Sequence, residues 1–104
     1  MQKKTYYIVK TTVNKSFEKE FNEWYHNVHI PDVVKASGCI QAKRLKAIAK
    51  DDEYEYLAIY EFDGLETFNK YKESTERKAL IQDFLDKYEK VTKMKSSIWE
   101  QVYP

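Results

Sequence analysis

Two stretches of this chain, Thr5 to Val13 and Glu53 to Phe62, alternate with a period of two and carry apolar groups on both faces. In the first, Tyr7, Val9 and Val13 share one face, and Tyr6 and Ile8 share the other. In the second, Tyr54, Tyr56, Ala58, Tyr60 and Phe62 lie together, with Leu57 and Ile59 opposite. Runs this short and this rich in β-branched and aromatic residues read as strands. A strand that is apolar on both sides belongs in the middle of a sheet covered from both directions.

The rest of the chain supplies the covers. After Asn14 and Ser16, which are turn and cap residues, Phe17, Phe21, Trp24 and Val28 recur at helical spacing. At about 100° per residue this stripe puts His29 at its border and His26 on the far side, facing water. Pro31 cannot continue the hydrogen-bond ladder and should push Ile30 out of helical geometry, interrupting the helix. A short helical turn over Pro31 to Ala36 is expected next, closed by Gly38. Residues 39 to 49 are more polar and read as a second strand near a sheet edge, with Asp51-Asp52 turning into the strand from Glu53. Asp63 is placed to cap a helix carrying Leu65, Phe68 and Tyr71. Ser74-Thr75 opens a helical run through Leu80, Phe84, Tyr88 and Val91, as one kinked helix with the first or as two. Met94 to Tyr103 forms the last strand, with Met94, Ile98 and Val102 on one face and Trp99 and Tyr103 on the other.

The order is β-α-β-β-α-β in a single α+β domain of 104 residues, the ferredoxin-like arrangement with an antiparallel sheet. Helices would cover one sheet face only. Two copies packed through their bare faces, a homodimer, would bury the other. Lysines and arginines nearly cancel the acids, giving a net charge of +1, which argues against a nucleic-acid partner. No apolar run is long enough to span a membrane, and no secretory leader pattern follows Met1. The single cysteine fits a reducing, cytoplasmic setting.

Chemistry concentrates between Trp24 and Cys39, where both histidines and the only cysteine lie. His26 and His29 are three apart, but no third ligand of matching spacing is visible, so no metal is expected. Cys39 lacks a neighbouring base and reads as a small buried strand residue. His29 is the candidate catalytic residue, a general acid or base at the mouth of a pocket lined by Trp24, Tyr25 and the sheet tyrosines Tyr56 and Tyr60. Asp32 is a candidate orienter for it, or a helix cap. The alternative is that His29 bridges the helix break by bonding freed backbone groups. No Gly-rich phosphate loop, nucleophile elbow or zinc-protease motif occurs.

Trp24-Tyr25, then Val28-His29-Ile30-Pro31-Asp32-Val33-Val34 and Gly38, resembles the W-Y-x-x-V-H-x-P-D-[VL]-L…P-G pattern of small EthD-like proteins of the dimeric α+β barrel superfamily. Tyr56 to Phe62 and Trp99 to Pro104 extend the resemblance over nearly the whole chain. Ser37 stands where that pattern has proline, and Cys39 where an aromatic often follows. The resemblance implies dimerisation through sheet faces and a pocket between helices and sheet, with His29 on its wall. It implies a small-molecule-binding protein, read either as a cofactor-independent enzyme of cyclase, isomerase or monooxygenase type or as a non-catalytic accessory protein. A structural dimerisation module is the third reading. No cofactor is expected, and the ligand would be a small apolar or aromatic organic molecule.

Overall fold

The computed structural model describes residues 3–49 and 52–104. The expected turn residue Asp51 lies outside them. Strand β1 spans Thr5–Val13, as its alternation requires. Asn14 then caps a short 3-10 turn through its side chain, which accepts from the Ser16 amide at 3.1 Å. Helix α1 is Glu18–Trp24 and helix α2 is Ile30–Ser37, joined by a π-helical turn over Tyr25–His29. Strands β2, Gln41–Lys46, and β3, Tyr56–Phe62, follow. Helices α3, Leu65–Lys72, and α4, Thr75–Tyr88, are separate, and β4 is Thr92–Glu100.

The sheet runs β2-β3-β1-β4, antiparallel throughout, so the two strands apolar on both faces are the central pair. Val9 sits opposite Ala58 and Ser96, and Tyr7 opposite Tyr60 and Ile98. This register puts Thr5, Val9, Thr11, Val13, Tyr56, Ala58, Tyr60 and Phe62 beneath the helices, where all are buried. Phe21 and Phe62 are fully enclosed, each worth roughly 2–3 kcal/mol of apolar burial. Phe21 meets Tyr88 edge-on at 5.0 Å and Phe84 at 6.0 Å, which ties α1 to α4.

Among the described residues, no layer covers the opposite face. Tyr6, Ile8, Leu57 and Ile59 are only half-buried there, and Leu45 and Trp99 are exposed. Lys10, Lys43, Lys93 and Lys95 share that face by register. On the helix side the layer stops short of β4, leaving Met94 and Ile98 exposed.

Several local expectations are corrected. Ile30 stays helical, at φ −60° and ψ −48°, so Pro31 does not break the helix. The wider π turn, in which the Ile30 amide donates to the Tyr25 carbonyl, absorbs the proline instead. Phe17 and Val28 are exposed, because the first lies in the 3-10 turn and the second in the π turn, outside the α-helical phase. Gly38 does close α2, at φ 70°, donating to the Val34 carbonyl at 3.3 Å. Asp63 is not the cap of α3; Gly64 holds that position. Ser74 does cap α4, accepting from the Arg77 amide at 3.1 Å. Strand β2 ends at Lys46, with Ala47 to Ala49 exposed beyond it, and Cys39 is buried just ahead of the strand. Strand β3 starts at Tyr56 and β4 ends at Glu100, short of Val102 and Tyr103.

Candidate functional site

The π turn sets the geometry of the site. In an uninterrupted α-helix, steps of four drift by about 40° each, so Phe21, Tyr25, His29 and Val33 would wind off one face. The extra residue in the turn brings the line back, and all four point at the sheet: Phe21, Tyr25 and Val33 are buried and His29 is half-buried. His29 lies against Trp24, stacked with centroids 5.0 Å apart, and against Tyr25 at 4.9 Å and Phe84 at 5.9 Å.

His29 opens onto a cavity of about 80 Å³ between the layers. Its sheet side is Tyr7 and Val9 of β1, Tyr60 of β3, and Met94 and Ser96 of β4. Its helix side is Tyr25, His29, Val33, Tyr71 of α3, and Arg77, Leu80, Ile81 and Phe84 of α4. Of the residues singled out from sequence, the structure therefore brings His29, Tyr25 and Tyr60 together. Trp24 stands behind the imidazole and does not reach the wall. Asp32 is exposed on α2, beside a shallow groove shared with Lys35 and Glu76. Tyr56 is occupied elsewhere, donating its hydroxyl to Glu18 Oε2 at 2.6 Å and accepting from Asn22 Nδ2 at 3.2 Å.

Burial dominates the electrostatics. It pulls the His29 pKa down to about 4, against Asp32 and Asp83, whose negative charges raise it. The imidazole is neutral at pH 7 and no carboxylate hydrogen-bonds to it among the described residues. It is thus a proton acceptor, not a stored acid. Burial likewise pushes the phenols of Tyr25 and Tyr71 up to about 12 and that of Tyr60 well above its ordinary value. These hydroxyls remain donors even in alkaline solution. The Tyr60 hydroxyl is buried and makes no well-formed hydrogen bond among the described residues, although it is close enough to the Tyr25 hydroxyl for each to shift the other. His26 is exposed as expected, but it does not face only water: its Nε2 lies within reach of Arg44 on β2.

Two arginines escaped sequence reasoning. Arg44 of β2 places its guanidinium 4.3 Å from the ring centres of both Tyr25 and Tyr56. Its Nη1 donates to Asn22 Oδ1 at 2.7 Å and lies 3.0 Å from His26 Nε2, fixing the π turn to the sheet. Arg77 lines the cavity from the first turn of α4. A signal for it was present: Ser74-x-x-Arg77 puts a cation where a capping box would carry Glu or Gln. Among the described residues, no three His, Cys, Asp or Glu side chains converge as a metal site would need. No helix among those residues is long and apolar enough to cross a membrane.

A four-stranded antiparallel sheet under helices, with a partly open cavity between the layers, is a ferredoxin-like α+β fold. Residues 4–102 match the family described as Domain of unknown function (DUF4286), and the chain belongs to that family. No curated protein matches the chain. Among solved structures, an EthD family protein from Bacillus halodurans is 16% identical, with TM-score 0.67 over 92% of this chain and 97% of that one. A dabb family protein with a ferredoxin-like fold from Mesorhizobium loti is 17% identical, with TM-score 0.67 over 98% and 100%. SnoaB, a cofactor-independent oxygenase from Streptomyces nogalater, is 10% identical, with TM-score 0.64 over 98% and 96%. The likeness to EthD proteins expected from the His-x-Pro segment is thus present at the level of fold.

Proposed function

We propose that the protein binds a small organic molecule in the cavity beside His29 and moves a proton on it without a metal or an organic cofactor. The observation that carries this reading is the neutral imidazole opening onto a partly open, mostly apolar cavity whose wall it shares with Tyr25 and Tyr60. His29 accepts a proton from a weakly acidic C–H or O–H of the ligand. The tyrosine hydroxyls donate to the oxygen that gains negative charge, and the imidazolium returns the proton to a second atom. Isomerisation and cyclisation balance on this transfer alone; oxygenation would take dioxygen as co-reactant, as a protein named a cofactor-independent oxygenase on this fold suggests. At about 80 Å³ the cavity takes only part of an aromatic ligand, the remainder leaving past exposed Met94. The ligand is therefore small or binds by one end. Trp24 supports the ring of His29, while Asp32 acts on it only through its charge. The bare sheet face is the interface of a homodimer, and free, buried Cys39 suits a reducing cytoplasm.

A non-catalytic binding role has one observation in its favour: no side-chain carboxylate orients His29 among the described residues. Ligand-observed NMR with a set of small phenols and aromatic ketones, run on the parent and His29→Gln, tests the proposal. Binding to the parent, lost or weakened at least tenfold in a folded variant, supports it. Ligand consumption by the parent separates enzyme from binder, and no binding by either protein would sink both readings.

A further inference from the structure

We propose that the cavity beside His29 selects an anionic ligand, a carboxylate or the oxyanion of a phenol or enol, and that Arg77 is the residue that recognises its charge. This rests on the ligand-binding reading above and names the class of ligand. Among the described residues, Arg77 is the only fully charged side chain on the cavity wall, and no Asp or Glu lies there. It makes no salt bridge among the described residues. Its Nε is buried without a hydrogen-bond partner among the described residues, an omission that ordinarily costs stability.

The position itself works against the helix. Arg77 is the third residue of α4, after the Ser74 cap, where the positive end of the helix dipole disfavours a cation. Glu or Gln there would complete a capping box with Ser74. The fold forgoes that stabilisation and keeps a planar five-donor fork at the cavity instead. The cavity wall also carries Tyr7, Tyr25, Tyr60 and Tyr71; Arg77 acts on the Tyr71 phenol through its charge, and the Tyr60 hydroxyl makes no well-formed hydrogen bond among the described residues. A wall of protonated donors with one fixed positive charge favours a compact oxygen anion over its uncharged isostere. The anion would also act on His29. That ring already feels Asp32 and Asp83 raising its proton affinity and Arg44 lowering it. A negative charge inside the cavity would raise the affinity further, toward the range where a base works at neutral pH.

Benzoate and its uncharged isostere benzamide are the probes, titrated into 15N-labelled full-length protein with the His29 imidazole and Tyr25 amide resonances followed by NMR. Benzoate is expected to bind the parent about tenfold more tightly than benzamide, the gain of one charge-assisted hydrogen bond. Arg77→Gln, which should complete the capping box and keep the fold, is expected to bring the two affinities within about twofold. Arg77→Lys should retain part of the preference. Equal affinities in the parent, or an undiminished preference in Arg77→Gln, would overturn the assignment while leaving the cavity a ligand site. If neither probe moves the His29 resonances at tens of millimolar, the assignment falls together with the ligand-binding reading.

Discussion

Burying a neutral imidazole has a measurable consequence for stability in mild acid. The unfolded chain takes up a proton on His29 around pH 6.5, whereas the folded chain resists until about pH 4. Between those values the unfolded state binds more protons, so stability rises with pH and the contribution is lost as pH falls. The displacement integrates to about 2.5 kcal/mol between pH 7.5 and 4.5, and to about 1.5–2.5 once partial exposure of the ring is allowed for. His29→Gln removes the titration. Any packing defect it introduces is common to both pH values and cancels in the difference. Exposed His26 and the carboxylates whose pKa values are held low, Glu18 and Glu55 among them, remain in both proteins. Urea unfolding at pH 7.5 and 4.5, at one fixed protomer concentration because dimerisation shifts apparent stability, gives the four free energies. The parent should lose at least 1.5 kcal/mol more than the variant. Equal losses, within about 0.5 kcal/mol, would mean that the ring is solvated or that Asp32 and Asp83 offset its burial, and the neutral-base reading would fail.

The same architecture makes two further demands. Ile59→Lys puts a charge at the centre of the bare sheet face beside Ile8; light scattering should show a dimer for the parent and a monomer for the variant, with unchanged far-UV circular dichroism. A monomeric parent at micromolar concentration would remove the sheet-to-sheet dimer altogether. Arg44→Lys replaces a flat guanidinium held between two rings with a compact ammonium. It should lower stability by roughly 1–2 kcal/mol in thermal melts, and a neutral outcome would show that the two tyrosine stacks contribute nothing.

Strand signals were legible because their period is local. Thr5–Val13 is recovered residue for residue, and the two-faced runs are indeed the central strands. Edges and ends were less so. Ala47, Ile48 and Ala49 look like strand continuation, yet they lie beyond the pairing of β2 and β3 and stay exposed. Ser74 caps as its chemistry suggests, since its hydroxyl reaches the Arg77 amide. Asp63 has the same capping chemistry but lies one residue too early, with buried Gly64 making the entry into α3.

The site was harder to read, for a reason that lies in helical phase. A constant 100° per residue selects Phe17, Phe21, Trp24 and Val28, which demotes Tyr25 to a neighbour and His29 to a border. Tyr25, still tied to the Phe21 carbonyl at the end of α1, is almost fully buried, and the π turn that starts there adds one residue, retards the phase by roughly 100°, and returns His29 and Val33 to the same side. Pro31 was the visible clue, but a proline that stops a helix and one that is taken up in a wider turn look alike in sequence. The outcome depends on whether the residues beyond it gain more by staying in line with the core. Here Val33 and Ser37 are buried only if the helix continues, and His29 is held against Trp24 and Tyr25 by the same continuation. The fold and the candidate site therefore share one device: the turn that lets α2 reach the core is the turn that aims the imidazole into the cavity.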